Sequence, residues 1–319
     1  MRTNQAGEAV SSERGAELLG RGTVYFDTSV WNQLADHPDR DGVITSLRAR
    51  HIVVLGSVIS AGEILKTPDL TRREQLCSVM LSVSLGDRAL LEPPLALAKA
   101  AAEAVLRGEA DVLLQQTGSG RTFHFFLAHP HEADVPAIEA WLGNSDANLE
   151  QFRVLVEPDE PSSTRFCSPD VLASDAFLRC LVMVPPAAEL GLTLAQARDL
   201  CGRADIWRAL AGALAGVIAQ VLTRAPKRKK GRRRPGAPDL WQAVYLGVAE
   251  VFVTGDERQL EAVSEVSAVL KHPRCVVFAR DFFAALESTS AQARRRCGVC
   301  GCVVRAAGGR LAGFHASSA

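Results

Sequence analysis

Thr23-Val24-Tyr25-Phe26-Asp27 is the stretch on which the reading of this chain turns. Four β-branched or aromatic residues follow one another without a charge, which makes a short strand apolar on both faces, and the run ends on a carboxylate. A carboxylate placed directly after a buried strand is costly without a partner, so Asp27 demands an explanation at once. Downstream, Ser29 to Ala35 can begin a helix, Asp36-His37-Pro38-Asp39 interrupts it, and Gly42 to Arg50 is helical again. The second apolar run, Ile52-Val53-Val54-Leu55, is followed by an expected helix over Val58 to Lys66, capped by Ser57 or Ser60, with Glu63 in its early turns. Strand and helix alternate, and the strands are apolar all round. That pattern predicts an α/β fold with a parallel central sheet covered by helices on both faces.

The middle of the chain differs. Thr71–Ser84, Pro93–Leu106, Pro169–Val182 and Thr193–Thr223 favour helix, so residues 71–223 read as a helical insertion with loops around Gln116–Arg121 and Glu157–Thr164. A basic loop over 224–236 holds Lys227, Arg228, Lys229, Lys230, Arg232, Arg233 and Arg234. Pro238 then suits the start of a helix with Asp239 in its first turn, and Leu240, Trp241, Val244, Tyr245 and Val248 fall on one helical stripe. Val251-Phe252-Val253-Thr254, closed by Gly255-Asp256, is a third strand; helix Gln259–Leu270 and strand Val276–Phe278 complete another α/β step. Residues 1–22 read as a leader, 23–290 as one domain, and 291–319 as a basic tail with little material for a core.

Composition narrows the class. In 319 residues, 47% are apolar and Gly and Pro number 25 and 15, which excludes fibrous, disordered and disulfide-dense proteins. Lys+Arg and Asp+Glu balance at 36 each, yet the charge is unevenly placed. Between Arg224 and Arg234 lie eight basic residues and no acid, and Ala291 to Ala319 holds five arginines and no acid. Such asymmetry points toward nucleic acid. The first 22 residues carry Glu8, Glu13 and Glu17 without an apolar core, so no secretory signal is expected. Ala209 to Thr223 is too short for a membrane span of ~20 residues, and a cytoplasmic protein with reduced thiols is expected. Cys297-Gly298-Val299-Cys300-Gly301-Cys302 resembles half a zinc knuckle, but His315 or Cys275 would have to complete it, and free thiols are the expected state. His124, His129 and His131 read as ordinary loop histidines.

The acids are more informative. Asp27 and Asp256 end strands, and in a parallel sheet ligands bind at the carboxyl ends of the strands. Glu63 and Asp239 lie near the first turns of helices beside them. Four carboxylates on one rim repel one another unless cations occupy the site, and all-oxygen ligands suit magnesium or manganese. Two such ions about 3.5–4 Å apart stabilise the attacking and leaving oxygens of a phosphodiester displacement. Singly, each acid has an ordinary alternative: Asp239 complements a helix dipole, Asp256 is a turn residue, Glu63 a solvated charge.

Val24-Tyr25-Phe26-Asp27-Thr28-Ser29-Val30, Glu63, and Asp239 with Asp256 in Val253-Thr254-Gly255-Asp256 together resemble the PIN domain. The resemblance covers about residues 23–66 and 237–280. It implies a Rossmann-like three-layer fold and a magnesium- or manganese-dependent nuclease, most often a ribonuclease. Asp27, Glu63, Asp239 and Asp256 would then bind the metal, while Ser29 and Thr254 orient carboxylates or water. Ser29 stands where Asn is commoner in the family, and the 176 residues from Glu63 to Asp239 imply an elaborated member with a helical insert. The basic run ahead of Asp239 would hold a single strand of RNA, and an inhibitory partner protein is left open. Two other readings compete: a PIN-scaffold RNA-binding protein without turnover, and a haloacid-dehalogenase-like phosphohydrolase. The second would need an Asp where Ser29 stands.

Overall fold

The computed structural model describes residues 22–83, 90–109, 118–150, 168–222 and 240–287, with short segments at 294–296 and 303–305. The leader as far as residue 21, the basic run Lys227–Arg234, Asp239, and Cys297, Cys300 and Cys302 lie outside the described residues.

Five strands form the central sheet: β1 (Thr23–Phe26), β2 (Val53–Ser57), β3 (Leu90–Leu91), β4 (Val251–Thr254) and β5 (Cys275–Phe278). All pair in parallel, in the order β3-β2-β1-β4-β5. Helices in chain order are α1 (Thr28–Ala35), α2 (Arg40–Ala49), α3 (Val58–Leu65), α4 (Leu70–Val83), α5 (Pro94–Leu106), α6 (Gly118–Ala128) and α7 (Val135–Glu150). They continue with α8 (Pro169–Ala173), α9 (Asp175–Val182), α10 (Pro185–Glu189), α11 (Leu194–Arg203), α12 (Asp205–Leu222), α13 (Glu257–Ala268) and α14 (Ala279–Glu287). This is the parallel α/β architecture expected from the alternating pattern, in the three-layer, Rossmann-like arrangement that the resemblance implied.

β1, β2 and β4 are buried on both faces because each separates two cores, while the last two residues of the edge strand β5 are half-buried. Val24, Phe26, Val54, Val251 and Val253 pack into one core with α1 to α4, α6 and α14. Tyr25, Val53, Leu55, Phe252 and Val276 alternate into the other, with α5, α11, α12 and α13. Successive side chains of a strand point to opposite faces, so an unbroken apolar run is what two cores require. The chain leaves β1 toward β2 and β3, then returns to β4 on the other side of β1. Helices of the outward steps lie on one face and α13, which links β4 to β5, on the other, as crossovers of one hand demand when direction reverses.

Several expectations are corrected. The insertion is not purely helical, since Leu90 and Leu91 pair with Gly56 and Ser57 as an edge strand. Residues 118–121 begin a helix, where a loop was expected, and His124 sits within it. Pro169–Val182 divides at Ser174, whose hydroxyl accepts the Phe177 N–H and caps α9. Instead of an amphipathic helix, Gln242–Gly247 is a 3-10 segment, and Leu240 to Leu246 are buried all round. In the tail, Arg294–Arg296 pairs antiparallel with Val303–Arg305. Among the described residues, no helix is long and apolar enough to cross a membrane.

Candidate active site at the carboxyl edge of the sheet

The direction of connection reverses between β1 and β4, and the crevice beyond their carboxyl ends is where an open α/β sheet binds ligands. Asp27 follows β1 directly and is 3% exposed. Its Oδ1 accepts the Ser29 hydroxyl at 2.6 Å and the Val30 N–H at 3.0 Å, so the carboxylate caps α1. Its Oδ2 lies 2.6 Å from the Thr254 hydroxyl at the end of β4. That bond crosses the switch point. Thr254 also stands 2.7 Å from Gln259 Oε1, so its single proton serves one of the two at a time, while its oxygen accepts the Asp256 N–H at 3.0 Å. Ser29 closes the ring by accepting the Gly255 N–H at 2.6 Å.

Glu63 reaches the same rim from α3. It accepts the Thr28 hydroxyl, from the residue after Asp27. Ser57 caps α3 by accepting the Ser60 N–H at 3.1 Å, which fixes the helix that carries Glu63. Asp256 is placed differently. Its residue is exposed, and its Oδ1 accepts the Arg258 and Gln259 N–H groups at 2.7 and 3.1 Å as the cap of α13. It meets the Asp27 cluster through Thr254. Asp239 lies outside the described residues, as do the seven basic residues from Lys227 to Arg234.

Beneath the acids lies a buried hydroxyl network that the sequence did not announce. Tyr25 donates its proton to Gln242 Oε1 at 3.0 Å, so its contacts with the Ser57 and Ser60 hydroxyls, at 3.1 and 3.3 Å, are made as an acceptor. Burial pushes the Tyr25 phenol far up, and the charges of Asp27 and Glu63 push in the same direction against the lowering effect of the serine bonds. Tyr245 packs against Tyr25 with ring centroids 4.6 Å apart and planes tilted by 31°, and burial raises its phenol likewise. Both phenols therefore remain protonated donors. Tyr245 donates to the backbone carbonyl of Glu92 at 3.1 Å, and the Glu92 carboxylate, on a residue 5% exposed, accepts the Gly120 N–H at 3.2 Å.

Glu92 is thus a second buried carboxylate immediately after a strand of this sheet. The rule that singled out Asp27 applies to it equally, but a two-residue strand carries no periodic signal. Among the described residues, no group of three or more His, Cys, Asp or Glu side chains is arranged to hold a metal ion. The donor set that is assembled, Asp27 and Glu63 with three supporting hydroxyls, consists of hard oxygens and suits magnesium or manganese in kind. Hydroxyl donors that fix each carboxylate are also what metal-binding acids need around them. Comparison with family models, curated proteins and solved structures finds no match to this chain.

Proposed function

We propose that this chain is a metal-dependent ribonuclease of the PIN-like kind, hydrolysing RNA phosphodiester bonds at the carboxyl edge of its sheet. The observation that carries the proposal is the Thr254 to Asp27 bond of 2.6 Å, which locks a buried carboxylate at the topological switch point. Asp27 and Glu63 supply negative charge there, and Asp239, seventeen residues ahead of Asp256 in the sequence, is the further acid proposed for the site. Magnesium or manganese, when bound, would stabilise charge on the phosphodiester oxygens and lower the pKa of the attacking water.

The chain's own groups have distinct tasks in this reading. The Ser29 and Thr254 hydroxyls stand against Asp27, one on each oxygen, which keeps both oxygens in fixed directions. Thr28 does the same for Glu63. Gly255 brings its N–H to Ser29 and so ties the turn after β4 to α1. Lys227 to Arg234 would hold the phosphates of a single strand, each contact contributing about −0.7 to the slope of log affinity against log salt. A second reading, an RNA-binding scaffold without turnover, draws on Asp256, whose exposed carboxylate already serves as a helix cap.

Labelled single-stranded RNA and DNA, incubated with manganese, magnesium or EDTA, separate the two. Cleavage of RNA that EDTA and the Asp27→Asn/Asp256→Asn double substitution both abolish is expected. RNA binding without cleavage would select the scaffold, and cleavage undiminished by the substitutions would remove the carboxylates from the chemistry.

A further inference from the structure

An open groove of about 510 Å³ runs between α1 and α14, outside the carboxylate cluster, and one of its lining residues, Gln33, adjoins Gly255. Asn32, Gln33 and His37 line one side, and Arg280, Phe283 and Glu287 the other. Its far end is satisfied internally. His37 Nδ1 accepts the Asp39 N–H at 3.2 Å, which puts the ring proton on Nε2, 3.3 Å from Glu287 Oε1. The same ring stands edge-on to Phe283, with centroids 5.4 Å apart.

The near end is not. Gln33 packs against Gly255 and Ser29, the two residues that support Asp27, and its half-buried amide makes no hydrogen bond among the described residues. Asn32 spends one N–H on the Thr28 carbonyl at 3.0 Å, one turn back along α1, and its Oδ1 accepts the Arg72 guanidinium at 3.4 Å, which leaves its second N–H. Across the groove the Arg280 guanidinium lies over the Phe278 ring at 5.3 Å, at the carboxyl end of β5, with its side chain 77% exposed. Asp281 forms an ion pair with its Nε at 3.8 Å, beyond hydrogen-bond reach, so the N–H groups of the exposed guanidinium keep their donors. An amide with unspent donors and acceptors matches the edge of a planar heterocycle, and a guanidinium fixed on a ring matches a phosphate. The volume accommodates one nucleotide, within the range of about 300–1,000 Å³ for ligand sites.

We infer that this groove binds one nucleotide of a single-stranded RNA adjacent to the bond presented at Asp27, with its phosphate on Arg280 and its base edge on Gln33 and Asn32. The identity of the strand rests on the ribonuclease reading; the groove's chemistry does not depend on turnover. Binding is therefore measured in EDTA, by fluorescence anisotropy of labelled eight-residue oligo(A), oligo(U) and oligo(C) on the full chain. Arg280→Gln is expected to weaken each about fivefold or more and to reduce the salt slope by about 0.7, one phosphate contact. Gln33→Leu keeps the volume but not the hydrogen bonds, and it should leave the slope unchanged while bringing the three affinities within twofold of one another. Wild-type affinity, slope and base preference in both variants would overturn the inference, as would failure of the wild-type chain to bind RNA at low salt. If both variants behave as expected while the wild type cleaves nothing in manganese, the groove stands and the nuclease reading falls.

Discussion

Gly255 is where a single added carbon tests the site most sharply. A Cβ there would lie 2.0 Å from Gln33 Nε2 and 2.7 Å from Ser29 Oγ. The Gln33 amide is the free end of a flexible side chain and can swing away. Ser29 cannot move without loosening its bonds to Asp27 and to Gly255 itself. Gly255→Ala should therefore reduce RNA cleavage about 10- to 100-fold, or about 1.4–2.8 kcal/mol of barrier, while the thermal midpoint changes by only a few degrees. A variant cleaving at the wild-type rate would show that the Ser29 ring has no part in the chemistry. Asp27 itself was legible from sequence because a charge follows an unbroken apolar run. Asp256 was legible as a strand-end acid, but its work as a cap of α13 is set by where that helix begins, two residues earlier than the apolar pattern suggested.

At the scale of elements, the 3-10 segment Gln242–Gly247 holds the buried network in place. It delivers Gln242 to Tyr25 and Tyr245 to the Glu92 carbonyl. Gly247 allows it to touch the start of α12, where a Cβ would stand 2.4 to 2.6 Å from the side chain and backbone of Ile206. Backbone atoms cannot give way as a side-chain end can. Gly247→Ala should lower unfolding free energy by about 1–3 kcal/mol in denaturant titration, and an unchanged midpoint would disprove the tight contact. The apolar stripe through this segment suggested one buried face, yet the residues from 240 to 249 contain no charge, which was the available sign of burial all round. Two other elements were beyond local reading. β3 is two leucines followed by Glu92 and two prolines, and only its neighbour β2 defines it. α6 starts in Gly118-Ser119-Gly120, a loop by composition, because the distant Glu92 carboxylate accepts the Gly120 N–H there.

For the whole molecule, the two edges of the sheet do different work. The carboxyl edge gathers the acids and hydroxyls of the candidate site, and the amino edge is joined by backbone bonds, Glu250 N–H to the Thr23 carbonyl and Cys275 N–H to the Glu250 carbonyl. Burial raises the Glu250 carboxyl above its ordinary value, with Arg274 pulling the other way. A carboxyl raised by folding favours the native state while protonated, so its contribution fades as pH rises from about 4.5 through the raised folded value. Glu250→Gln should therefore raise the thermal midpoint relative to wild type at neutral pH and lose that advantage near pH 4. The reverse dependence would mean that attraction to Arg274 outweighs burial.

The central claim is that Asp27 anchors a divalent cation at the switch point of this sheet. Calorimetric titration of manganese into the RNA-free protein, wild type beside Asp27→Asn, tests it most directly. The variant keeps a capping side chain for α1 but loses the charge. Saturable binding by the wild type, weakened at least tenfold in Asp27→Asn, is the expected result. Equal binding by both proteins, or none by the wild type, would contradict the claim.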